Sequence, residues 1–91
     1  MAALGGRILD ARVLDLFAGS GALGLEALSR GARKVVFVER GRGALQSLEK
    51  NVETLGAEPR SRIVRLDVLQ FLERGPVGGF DLALADPPYD G

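Results

Sequence analysis

Gly19-Ser20-Gly21-Ala22-Leu23-Gly24 carries the spacing G-x-G-x-x-G. Glycines so placed let the backbone turn sharply and approach a ligand closely, while a helix opening there presents unbonded N–H groups and a partial positive charge. The same spacing also serves a tight strand-to-helix turn with no ligand. Twenty residues after Gly19, Glu39 closes the run KVVFVE. From that position a carboxylate accepts both hydroxyls of a nucleoside ribose; the alternative is a solvated charge at a strand end. Asp67 ends the next candidate strand and can accept from an adenine amino group. With Gln70 three residues later it also fits a helix capping box, and one side chain can do both. Asp15 lies inside VLDLF, four residues before Gly19. A carboxylate buried there needs partners. It can hold the N–H groups of the turn or fix a cationic ligand group, and it suits a zwitterionic, sulfonium-bearing cofactor better than a pyrophosphate.

Asp86-Pro87-Pro88-Tyr89 follows FDLALA, at the carboxyl end of a candidate strand where open α/β sheets place their ligands. The two prolines stiffen the loop and donate no N–H, so neighbouring carbonyls stay available as acceptors. Asp86 and such a carbonyl can grip the two hydrogens of a planar exocyclic amine, turning the nitrogen lone pair toward a methyl group, and Tyr89 can stack on the ring that bears it. A rigid turn with a loop aromatic is the structural alternative.

The elements that must position these residues follow from the pattern. Residues 13–17 read as a buried parallel strand entering the glycine turn. Residues 22–30 hold helix formers, with Ser20 as the cap and Gly31 as the left-handed stop. Residues 34–39 are β-branched and aromatic, a second strand. Leu45, Leu48, Val52 and Leu55 step by three, four and three along one helical face of residues 43–55, which Gly56 ends. Residues 62–66, 68–74 and 80–85 read as strand, short helix and strand. The alternation β-α-β-α-β-α-β predicts a parallel sheet in a doubly wound α/β fold.

The chain has 91 residues, enough for one small domain, with twelve basic and twelve acidic residues, 46% hydrophobic and 26% charged. Such a composition belongs to an ordered soluble domain and gives no general attraction to nucleic acid or membrane, although ten of the basic residues are Arg, which suits phosphate contacts. The absence of Cys and His excludes disulfides, a Cys/His zinc site, a Cys nucleophile and a Ser-His-Asp relay. No apolar run approaches a membrane span, and a cytoplasmic protein is expected. Strand four would leave an open apolar edge if nothing followed it, so either the chain is part of a longer protein or that edge pairs with a second copy.

The sequence resembles a class I S-adenosylmethionine-dependent methyltransferase of the Asn/Asp-Pro-Pro-Tyr kind, and within that group the RsmD family of bacterial 16S rRNA guanine-N2 methyltransferases. The resemblance rests on LDLFAGSGALGLEALSRGA from Leu14 to Ala32, on VFVE ending at Glu39, on Asn51, and on Asp86-Pro87-Pro88-Tyr89. It implies a Rossmann-like methyltransferase fold of which residues 1–91 are a partial domain, the first four β-α units, with the family's N-terminal extension and last strands absent. It implies that Asp15 and Phe17, Ala18, Gly19, Ser20 and Gly21 hold the methionine end of S-adenosyl-L-methionine, Glu39 its ribose, and Asp67 with Val68 its adenine. Asp86, Pro87, Pro88 and Tyr89 would hold the guanine amine, with 16S rRNA or a small-subunit assembly particle as partner and neither metal nor membrane. Competing readings are an N6-adenine methyltransferase, a glutamine-methylating enzyme, a non-catalytic cofactor-binding module, and a nicotinamide-dependent dehydrogenase. The last leaves Asp15 and the Pro-Pro-Tyr loop unexplained.

Overall fold

Strand β1 (Arg12–Leu16), helix α1 (Ala22–Ser29), strand β2 (Lys34–Val38), helix α2 (Arg42–Thr54), strand β3 (Ser61–Val64), helix α3 (Val68–Glu73) and strand β4 (Leu82–Ala85) follow one another along the chain. The structure is a computed structural model that describes residues 8–74 and 78–85. A 3-10 turn, Glu58–Arg60, precedes β3 and has no signature in the hydrophobic pattern. All strand pairs are parallel, in the order β3-β2-β1-β4. This is the doubly wound α/β arrangement expected from the alternation of elements.

Strand side chains alternate between two apolar layers, as the period of two requires. Val13, Val35, Phe37 and Leu84 face one layer with Leu25, Ala27 and Leu28 of α1 and Leu48 and Val52 of α2. Leu14, Val36 and Val38 face the other, against Val68 and Phe71 of α3. Asp15 shares the first face with Val13, so its carboxylate lies in the layer beneath α1, where it is 1% exposed.

Both longer helices close in the same way. Gly31 N–H bonds Leu28 O and Ala32 N–H bonds Ala27 O; Gly56 and Ala57 repeat the pair with Glu53 and Val52. The φ of +100° at Gly31 is the left-handed value that this closure needs. The start of α1 departs from expectation. Gly21, not Ser20, is the N-cap, in the left-handed region with no side-chain cap, so Ser20 precedes the helix and its hydroxyl does not bond the first turn. Leu55 also departs. It caps the end of α2 beyond the last full turn and is 65% exposed, while Leu48 and Val52 carry the buried face. Strand β1 stops at Leu16 because Phe17 takes φ +57°. Asp86, Pro87, Pro88 and Tyr89 lie outside the described residues.

Candidate cofactor site

A cavity of about 540 Å³ opens at the carboxyl ends of β1, β2 and β3. Asp15, Phe17, Ala18, Gly19, Ser20, Glu39, Asp67 and Val68 all line it, so it gathers every cofactor residue expected from the sequence except Gly21. Gly21 faces the core instead. A Cβ there would overlap Leu48 Cδ1, and its N–H bonds Ala18 O at 2.8 Å. Ala22, Leu23, Val38, Arg40, Ala44 and Leu66 complete the lining. Ala22 and Leu23 lie inside the glycine motif; Val38, Arg40 and Leu66 flank Glu39 and Asp67, and their signal was proximity to a strand end; Ala44 is brought in only by the course of α2.

Each acid is placed by backbone it can bind. Asp15 Oδ2 accepts the Gly24 N–H at 3.1 Å, which supplies from the neighbouring strand the acceptor that α1 lacks at its own cap. At Gly24 α1 lies close against the sheet: a Cβ would overlap the Phe37 ring and lie 2.9 Å from Asp15 Oδ2. Glu39 is no solvated strand-end charge. It is half-buried, with Oε1 accepting Gly19 N–H at 2.7 Å and Oε2 accepting the N–H groups of Arg40 at 3.1 Å and Gly41 at 2.9 Å. One carboxylate therefore ties the glycine turn to the loop that opens α2. Asp67 forms the expected capping box, Oδ1 accepting Gln70 N–H at 2.7 Å while Gln70 Oε1 accepts Asp67 N–H at 3.3 Å. It lines the cavity as well, so capping and ligand contact are compatible.

Three acidic residues and one arginine line this space. That balance opposes a pyrophosphate and favours a ligand carrying positive charge. Residues 2–91 match the family described as Conserved hypothetical protein 95.

The chain belongs to that family.

This is the RsmD family that the motifs resemble. The chain is 44% identical over 82 residues to Ribosomal RNA small subunit methyltransferase D of Escherichia coli K12, a match covering 90% of this chain and 40% of the relative. The solved structure of Escherichia coli yhhF superposes with a TM-score of 0.88 at 42% identity, covering 98% of this chain and 49% of that one. A SAM-dependent methyltransferase from Agrobacterium tumefaciens gives a TM-score of 0.78 at 27% identity over 96% of this chain and 30% of its own. The chain spans less than half the length of the curated family relatives it matches. No helix among the described residues is long and apolar enough to cross a membrane.

Proposed function

We propose that this chain is the cofactor-binding part of a methyltransferase that moves a methyl group from S-adenosyl-L-methionine to the exocyclic N2 amine of a guanine in bacterial 16S rRNA. The observation that carries the reading is the cavity, which brings Asp15, the glycine turn, Glu39 and Asp67 to one place from the ends of three strands. Its volume lies in the range of about 300–1,000 Å³ usual for small-molecule sites. The donor set fits the group. Asp15 lines the space and is the acidic residue that a methionine amino group would call on. Glu39 spends three of a carboxylate's roughly four acceptor positions on backbone N–H groups, leaving about one on Oε1 for a ribose hydroxyl. Leu66, Val68 and Val38 offer apolar walls to a flat base beside the polar edge of Asp67.

Bound S-adenosyl-L-methionine supplies an electrophilic methyl group. The protein's work is then positioning, since in-line transfer needs the two reacting centres held in contact and aligned. Asp86 and the carbonyls of the Pro87-Pro88 loop would hold the amine hydrogens, and Tyr89 would stack on the base. No strong base is required, because the nitrogen becomes acidic only as it attacks. A guanine inside a helix is out of reach, so the target would be unpaired or flipped out. The ribosomal substrate is supported by the name of the Escherichia coli relative, a nucleobase target by the Asp-Pro-Pro-Tyr motif, and guanine in particular by the resemblance to the RsmD family. Such a substrate places the protein in the cytoplasm.

Calorimetric titration of S-adenosylhomocysteine, with NAD as control, tests the cofactor half. Binding of the homocysteine compound alone is expected; binding of NAD alone would overturn the reading. For the substrate half, unmethylated small-subunit RNA or its assembly particle is mixed with labelled cofactor and the protein, and the product nucleoside is identified. N2-methylguanosine is expected, whereas label in N6-methyladenosine would replace the guanine target with adenine.

A further inference from the structure

Helix α2 touches the glycine turn at two points. Leu48, fully buried, occupies the space that a side chain at Gly21 would need. One helical turn later Asn51 donates from Nδ2 to Ser20 O at 3.0 Å, across 31 residues of sequence. Asn51 does not line the cavity, whereas Ser20 does.

We infer that Asn51 is a positioning residue for the cofactor turn, setting ligand affinity through the Ser20 carbonyl without touching the ligand; this rests on the cofactor reading proposed above. The argument concerns one peptide plane. Ser20 C=O and Gly21 N–H belong to the same rigid unit. Its oxygen is held by Asn51 and its N–H by Ala18 O at 2.8 Å. Gly21 sits at φ +88°, and glycine reaches either sign of φ at little cost, so the residue that permits this turn also permits the plane to rotate. A donor fixed on a thirteen-residue helix opposes that rotation. From the other side Glu39 holds the Gly19 N–H at 2.7 Å. Consecutive residues of the turn are thereby fixed from the end of β2 and from the last turns of α2, two elements that follow one another directly in the chain. Helix formation does not explain an asparagine here, since Asn is a poorer helix former than Leu, Lys or Ala.

Asn51→Leu keeps the side-chain shape, improves helix propensity and removes the donor. In the 91-residue protein it should raise the dissociation constant for S-adenosylhomocysteine about five- to tenfold, the size of one lost net hydrogen bond. Tm should stay level or rise, and amide exchange at Gly21 in the ligand-free protein should accelerate. Asn51→Asp, which sets a carboxylate against the Ser20 carbonyl, should weaken binding further. Lys50→Ala, on an exposed face of the same helix, should change neither reading. Unchanged affinity and unchanged Gly21 exchange in Asn51→Leu would overturn the inference, as would a loss of affinity that only tracks a fall in Tm. If the unsubstituted protein bound no S-adenosylhomocysteine, the cofactor reading would fall, and Gly21 exchange alone would decide whether Asn51 holds the turn.

Discussion

Glu39→Gln separates two things that Glu39 does. The amide keeps the size and one oxygen, but its NH2 must face either Gly19 N–H or the pair from Arg40 and Gly41. A part-buried donor left without an acceptor costs about 1–3 kcal/mol, so the folded state should lose stability of that order in urea titrations. If Glu39 also receives a ribose hydroxyl, affinity for S-adenosylhomocysteine should fall by roughly tenfold or more, the worth of a hydrogen bond to a charged group. Reduced stability with unchanged affinity would confine Glu39 to joining two loops. The cavity-lining acids were legible in the sequence because Glu39 and Asp67 each end an apolar run, where an open sheet exposes side chains, and because Asp15 interrupts one just before the glycines. Two features were not. Phe17 takes a left-handed φ of +57°, which nothing in its residue type announces, since this conformation is uncommon outside glycine. The bond from Asn51 to Ser20 joins residues 31 apart, and only the packing of α2 brings them together, whereas the bond from Asp15 to Gly24 realises the turn-holding role that its place before the glycines allowed.

At the scale of elements, two glycines in helices should respond to alanine with opposite signs. Gly43, in the first turn of α2, has nothing within 4 Å of a built Cβ, so Gly43→Ala should stabilise by up to about 1 kcal/mol through propensity alone. Gly24→Ala gains the same propensity but drives a methyl into the Phe37 ring, which is fully buried, and against Asp15 Oδ2. Overpacking in a close-packed core costs typically 1–3 kcal/mol, and Phe37 has no surface to move toward, so the clash exceeds the gain and net destabilisation is expected. Denaturant midpoints of the two variants should fall on either side of the parent protein; a stabilised Gly24→Ala would show that α1 can lift off the sheet freely. The third glycine of the motif is thus explained by helix–strand contact, the second by contact with Leu48. Asp67→Ala removes a complete capping box from a helix of only six residues and should cost about 1 kcal/mol. Helix faces were readable because Leu48 and Val52 follow the 3.6-residue period. Their ends were less so: Ser20 looks like a cap in sequence, yet the left-handed Gly21 takes the position and Asp15 supplies an acceptor from β1.

Across the whole molecule, the order β3-β2-β1-β4 puts β4 beside the first strand, so the last described strand depends on the longest-range pairing in the sheet. The alternation of elements predicts layers and parallel strands, but the anchoring of β4 depends on particular polar contacts. Arg12 N–H donates to Asp81 Oδ2 at 2.9 Å, Asp81 N–H donates to Arg12 O at 2.8 Å, and the two side chains form an ion pair at 3.4 Å. The Arg12 backbone N–H, then its guanidinium, hold the Asp81 carboxyl below the usual carboxylate range. At the same end of the sheet the Arg33 side chain, bonded to Asp10 at 3.0 and 2.6 Å, lowers Asp10 as well. Both acids bind protons less readily folded than unfolded, so protonation favours the unfolded chain. Their contribution is whole above the unfolded Asp value of about 3.9 and is lost as pH falls below that value through the lowered folded ones. Both pairs are exposed, so the effect is small and fades with added salt. Denaturant midpoints should therefore show no loss from these two groups between neutral pH and about pH 5, then an acid decline that Asp81→Asn and Asp10→Asn each make shallower. Because Asp81 also bonds the backbone at the start of β1, its substitution should speed amide exchange in β4 at neutral pH, while Asp10→Asn should not. Identical acid limbs in all three proteins would remove both pairs from the account of what holds the end of this sheet together.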